Sequence, residues 1–130
     1  MAATPAYASN PRSLDIAQIS AANTNRDGTG TIVTCCSGVA AGTRISSVTV
    51  KATVSSAAGM VRLFLSTDSG TTWRLYQEIT VPVVTVSASV ASFVGRLDFV
   101  DLVLTGTSDL LGAATHNAET FNVFPAGMDL

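Results

Sequence analysis

Charge is what this 130-residue chain has least of: seven basic and nine acidic residues make up 12% of it, with a net charge of −2. A protein that neutralises phosphates carries a basic excess, so nucleic acid is excluded as an expected partner. The same scarcity of charge, set against 47% hydrophobic residues, excludes a disordered chain, which needs the opposite balance. No run approaches the roughly 18 consecutive apolar residues of a membrane-spanning helix. Met1 to Tyr7 has neither the basic nor the apolar stretch of a secretory signal. The expectation is therefore a protein made and kept in a cytoplasm until it is assembled or released, with no membrane partner. Its two cysteines, Cys35 and Cys36, are adjacent. Neighbours in a strand point to opposite faces, so a disulfide framework is excluded and free thiols suit a reducing compartment. The pair reads as one buried thiol and one at the surface, with an interchain disulfide as the alternative.

Long stretches of Leu, Glu, Lys and Gln are also missing, which argues against helices. Instead, Ala (18), Thr (17), Val (15), Ser (14) and Gly (10) supply 74 of the 130 residues. Valine and threonine are β-branched and suit a pleated surface. The fold class is all-β. The length fits one domain, which buries about two-thirds of its unfolded surface and needs no staples.

Along the chain, residues 1–22 read as an extended N-terminal arm, either a frayed terminus or a segment laid across a neighbouring subunit: Pro5 and Asn10-Pro11 break any regular pattern, and only Leu14, Ile16 and Ile19 offer anchors. Residues 23–130 form the β domain. A turn cluster, Asn23 to Gly30, precedes a strand at about 30–36. The alternation of Val48, Val50, Ala52 and Val54 with Thr49, Lys51 and Thr53 predicts a strand over about 44–55. Ile45 is out of phase, which predicts a bulge near Ser46-Ser47. A strand at about 59–66 sets Val61, Leu63 and Leu65 on one face and Met60, Arg62 and Phe64 on the other. After a hairpin at Asp68-Ser-Gly70, a strand at about 72–80 sets Trp73, Leu75, Gln77 and Ile79 opposite Arg74, Tyr76 and Glu78. Val83 to Phe93 reads as a further strand and a corner, followed by strands at 97–104, 110–115 and 120–124. Seven or eight short strands at regular spacing signal a sandwich, a jelly roll or a small barrel.

Three motifs invite a chemical reading. Ser66-Thr-Asp-Ser-Gly-Thr-Thr-Trp73 matches the Ser-x-Asp-x-Gly-x-x-Trp box found on hairpins of sialidase-like propellers. One copy cannot build a propeller, so the box reads as a hairpin whose Asp68 accepts turn N–H groups. Asn23-x-Asn25-x-Asp27-Gly28 resembles the start of a calcium loop, but Asn opens it and Thr34 stands where the bidentate Glu belongs. It reads as a turn held by its own side chains, with no metal. His116 is the only histidine. No nucleophile elbow, paired carboxylates or ligand spacing selects a partner for it, so neither catalytic residues nor a cofactor are expected.

Four stretches together carry a resemblance: Ala17-Gln-Ile-Ser20, Ala22 to Gly30, Ala58-Gly-Met-Val-Arg-Leu-Phe64 and Thr115 to Val123. From about residue 15 to the end, the chain resembles a family of small tailed-bacteriophage and prophage proteins. Some of this family are similar to capsid cement, or head decoration, proteins. The resemblance implies a single-domain, jelly-roll-like β-sandwich on the outer surface of a phage head, assembled in the host cytoplasm. It implies no enzymatic activity, the major capsid protein as partner, and a homodimer or homotrimer. Within that reading the arm is the expected bridging element, with Tyr7, Pro11 and Arg12 as contacts. Trp73 and Tyr76 are further interface candidates, because aromatics concentrate at interface centres; packing in the sandwich is their alternative role. The second reading of the whole chain is a β-sandwich binding module, for glycan or protein, on a phage tail or fibre.

Overall fold

A computed structural model describes residues 10–130. Eight strands follow one another: β1 (Ala17–Ile19), β2 (Val33–Ser37), β3 (Thr43–Ala52), β4 (Gly59–Ser66), β5 (Arg74–Val81), β6 (Val94–Leu104), β7 (Leu110–Thr115) and β8 (Phe121–Asp129). They form two antiparallel four-stranded sheets, β1-β8-β3-β6 and β2-β7-β4-β5. The all-β sandwich read from the sequence is the architecture present. No helix among the described residues is long and apolar enough to cross a membrane.

The core lies between the sheets. Val48, Val50, Val61, Leu63, Leu111, Ala113 and Val123 are fully buried there, and Ile19, Ile45 and Phe121 are almost so. Each larger aliphatic side chain sealed from water contributes roughly 1.5–3 kcal/mol. β4 has the boundaries its alternation predicts, and β3 carries its register shift between Ile45 and Ser47.

Four expectations are corrected. Val83 to Phe93 holds no strand; Pro82 closes β5, and the segment is tied down by the bridges Ser56–Val84 and Ser87–Val90 and by hydrogen bonds of Val86, Ser92 and Phe93 to Ser55, Lys51 and Ala52. Both cysteines are buried, because β2 shifts register between Thr34 and Cys36 and the extra residue, Cys35, turns inward with its neighbour. Burial pushes both thiols up to about 12, so neither is a ready thiolate. Tyr76 is the residue left over where β5 shifts register against Leu63 and Phe64, and it packs on the core beside Ile79 rather than facing away from it. Of the three anchors expected in the arm, Ile19 is buried, whereas Leu14 and Ile16 are exposed.

The described part of that arm runs antiparallel along β8. Asn10 bridges Asp129, and Ala17, Gln18 and Ile19 pair with Val123, Asn122 and Phe121. Residues 17–19 thus belong to the first sheet, although they lie before the boundary at residue 22.

Candidate functional site

Strand alternation gives each sheet an inner face and an outer face, and the two outer faces differ. On the second sheet, Arg62 and Phe64 project outward from β4. They lie beside Ala114 and Gly112 of β7, their register partners. All four are buried: Arg62 reaches Asn23 of the segment between β1 and β2, and Ile32 of that segment stands over Gly112 together with Trp73. Gly112 is the key to the cover: a Cβ there would stand 2.7 Å from Ile32 and 2.8 Å from the Trp73 ring, so only glycine leaves room for those side chains. At Gly28, φ is +88° and a Cβ would lie 2.1 Å from the Trp73 carbonyl oxygen. Glycine therefore lets the turn cluster rest directly on the end of the hairpin.

The side chains of the cover are spent on the cover itself. Asn23 is buried, donates to the carbonyls of Thr29 and Thr31 (both 3.0 Å), and accepts from Asn25 N–H. Asp27 accepts from the hydroxyl and the N–H of Thr29, which lowers its carboxyl below the ordinary value. The residues that would open a calcium loop thus bond to their own backbone. Among the described residues no cluster of three or more His, Cys, Asp or Glu side chains stands ready for an ion. In the hairpin, Asp68 accepts from Thr72 N–H and the Ser66 hydroxyl, both at 2.8 Å, and is likewise lowered.

Beneath the cover lies a buried cation. Arg62 is 2% exposed; its Nε donates to Glu78 at 3.0 Å, and its Nη1 donates to the Asn23 carbonyl at 3.4 Å. Nη1 also lies 3.3 Å from His116 Nδ1. A guanidinium only donates, so Nδ1 is the acceptor and the ring proton sits on Nε2. Burial raises the Glu78 carboxyl, but the hydrogen bonds from Arg26 and Arg62 outweigh it, and the net shift is downward. His116 is thereby joined to a permanent cation rather than to a serine or an aspartate. The calcium-like turn, the Asp-box hairpin and His116, distant in sequence, meet in one patch, and together they roof the sheet.

Among the described residues nothing roofs the outer face of the first sheet in this way. Across it run the row Met128–Arg44–Val103 and the row Phe124–Thr49–Arg96. Exposed apolar side chains lie on the strands of this sheet and in the arm ahead of β1. Val100 is 80% exposed and Val94 57% on β6; Leu14 is 86% and Ile16 61% in the arm; Met128 and Val103 are also exposed. Gln18 bonds across to Asn122 on the same side, and alternation from the inward Ala17 and Ile19 sets Ile16 outward with Gln18. The described residues enclose no pocket.

The residues singled out as interface contacts are distributed as follows. Tyr7 lies outside the described residues. Pro11 is exposed. Arg12 is committed within its own chain: Nε meets Asp15 at 2.6 Å, Nη1 meets Asp129 at 2.9 Å, and Nη2 donates to the Ser37 carbonyl at 2.6 Å. The hydrogen bond to Asp15 is the main reason its pKa is raised. Trp73 packs over Gly112, and Tyr76 packs against Phe99 of the other sheet with ring centroids 5.5 Å apart and the rings tilted by 44°. Both aromatics thus have packing roles. Sequence reasoning missed the uncovered face of the first sheet; its signal was the apolar Leu14, Ile16, Val100, Val103 and Met128 scattered among Ser and Thr.

Comparison with known proteins gives no match to any protein family, to any curated protein or to any solved structure.

Proposed function

We propose that this chain is a structural virion protein, a cement or decoration protein that binds the outside of a tailed-phage head and stabilises neighbouring capsid subunits. The observation that carries the reading is the contrast between the outer faces: one is sealed by the chain's own loop, the other keeps apolar side chains in water. Apolar side chains left in water on one face support an interaction site there, and the cross-strand rows Met128–Arg44–Val103 and Phe124–Thr49–Arg96 offer both apolar and charged groups to another protein. Nested pairing of β1 with β8, β2 with β7, β3 with β6 and β4 with β5 is what rolling up one long hairpin produces, and supports the jelly-roll reading. On this reading the bridging surface is the first sheet's outer face together with Leu14 and Ile16. Arg12 holds the arm to its own domain.

Cosedimentation tests the proposal. Purified protein is mixed with undecorated, expanded heads; saturable binding at a fixed ratio to the capsid subunit is expected. Failure to bind, together with the protein's absence from purified particles by mass spectrometry, would overturn it. A tail or fibre module for glycan is the second reading, and specific, saturable binding on a glycan array would favour it.

A further inference from the structure

A strand at the rim of a sheet offers unpaired N–H and C=O groups to another strand. Among the described residues the longest such rim is β6, which there pairs only with β3. Its neighbour β5, at the rim of the other sheet, is the next longest at eight residues. Facing β3, the run Val94–Asp98 is regular, one residue to one. Phe99, Val100 and Asp101 then stand against Ser46 alone, a bulge that ends the regular ladder. On the outward side of the regular run sit two opposite charges, Arg96 and Asp98, 62% and 72% exposed, bonded to each other at 2.9 Å.

We propose that β6 pairs antiparallel with β6 of a second copy, about a two-fold axis passing at Leu97. Two rules fix the register. A continuous sheet keeps each side chain on its own face, so outward residues must oppose outward residues; the axis then passes through a residue, not between two. An axis at Arg96 would oppose the two arginines, and an axis at Asp98 would oppose the two aspartates. An axis at Leu97 sets Arg96 against Asp98 of the copy and Asp98 against its Arg96, two opposite-charge pairs related by the axis. The exposed Val94 and Val100 lie at the two ends of that pairing, Val100 within the bulge. Opposite charges directly across a strand pair stabilise it, and like charges oppose it. The surface is therefore self-complementary, as an isologous interface requires.

The inference does not depend on head binding: a monomer that still binds heads overturns it and leaves that reading intact. The test is sedimentation equilibrium of the full chain and of two charge reversals, Arg96→Asp and Asp98→Arg. The wild-type chain is expected to be dimeric. Each variant alone opposes like charges twice per dimer and should weaken dimerisation about tenfold. Mixing the two restores both opposite-charge pairs, so the equimolar mixture should return to dimers of one copy each. Mixing cannot repair the pair within a chain, so recovery reports the contact between chains. A monomeric or trimeric wild-type chain, reversals without effect, or a mixture that stays monomeric would each overturn the proposal. Circular dichroism of the variants, expected to match wild type, excludes unfolding as the cause of lost dimers.

Discussion

The two outer faces of the sandwich are built from the same kinds of residue and end in opposite states. On the second sheet, Phe64, Ala114 and Arg62 are sealed from water, with Asn23 and Ile32 of the loop between β1 and β2 and the Trp73 ring standing over β4 and β7. On the first, β3, β6 and β8 present Met128, Val103 and Val100 with nothing of the described chain over them. A covered face is part of the folding unit: its apolar area stabilises the domain and is unavailable to anything else. An open apolar face adds nothing to folding and is free to contribute to association. The division tells which side of the domain is committed to its own stability and which keeps apolar side chains exposed among the described residues.

The comparison breaks most visibly if the covered face is not a second core. Phe64 is fully buried outside the main core, so Phe64→Ala should lower stability by about 4 kcal/mol through lost transfer energy and the cavity left behind. Urea unfolding would show this as a lower midpoint at unchanged slope. A loss below about 1 kcal/mol would mean that the loop collapses into the space and the cover is loose.

A smaller effect is expected from the latch. At Gly28 both the positive φ and the 2.1 Å approach to the Trp73 carbonyl oppose any side chain. Gly28→Ala should therefore lift the turn cluster at a cost of about 2 kcal/mol. Trp73 is the only tryptophan and lies under that segment. Its fluorescence should shift to the red in native buffer, well before global unfolding. An unchanged spectrum would place the cover's attachment elsewhere.

Acid should loosen the cover by a route that leaves the core apolar contacts untouched. Hydrogen bonds hold the carboxyls of Glu78, Asp68 and Asp27 below their ordinary values. A carboxyl lowered in the folded state stabilises that state fully above its unfolded value, and the stabilisation is lost as pH falls through the folded value. With reference values of 4.5 for Glu and 3.8 for Asp, stability should be level from neutrality down to about pH 5 and fall below pH 4. Asp129, lowered chiefly by the Thr43 hydroxyl and then by Arg12, should release the arm in the same range. Limited proteolysis ahead of β1 at pH 3.5 would detect it; an arm equally resistant at pH 3.5 and pH 7 would place its attachment in the β1–β8 ladder alone.

Much of this frame is legible in the residues. β4 runs from Gly59 to Ser66 because alternation there is clean, and the out-of-phase Ile45 announces the shift in β3. What escapes has a common physical cause. A one-residue slip reverses every later side chain, and the shifts at Cys35 and Tyr76 have no local marker, so both residues are misassigned. β1 is only three residues long, too short for a period, and is set by its partner β8. Val83 to Phe93 has strand composition but no partner strand to complete it. The cover left a trace in the sequence: Met60 and Phe64 share a face with Arg62, so both faces of that strand carry large apolar side chains. Reading it requires knowing that residues 20–32 fold back, which is a tertiary fact.

The smallest change to stability should carry the largest functional consequence, and that sharpens the contrast between the faces. Leu14 and Ile16 are exposed in the arm, away from the β6 rim, and make no part of either core. Leu14→Ser with Ile16→Ser should therefore alter the urea midpoint by no more than about 0.5 kcal/mol. If these side chains become buried against capsid subunits, each carries roughly 1.5–3 kcal/mol of apolar transfer energy, and their loss should weaken cosedimentation with heads about tenfold or more. Dimerisation through β6 should be unchanged, because neither residue lies in that strand. Unaltered binding would move the contact to the Met128–Arg44–Val103 row, whereas a large fall in stability would mean that the exposed face is part of the folding unit after all.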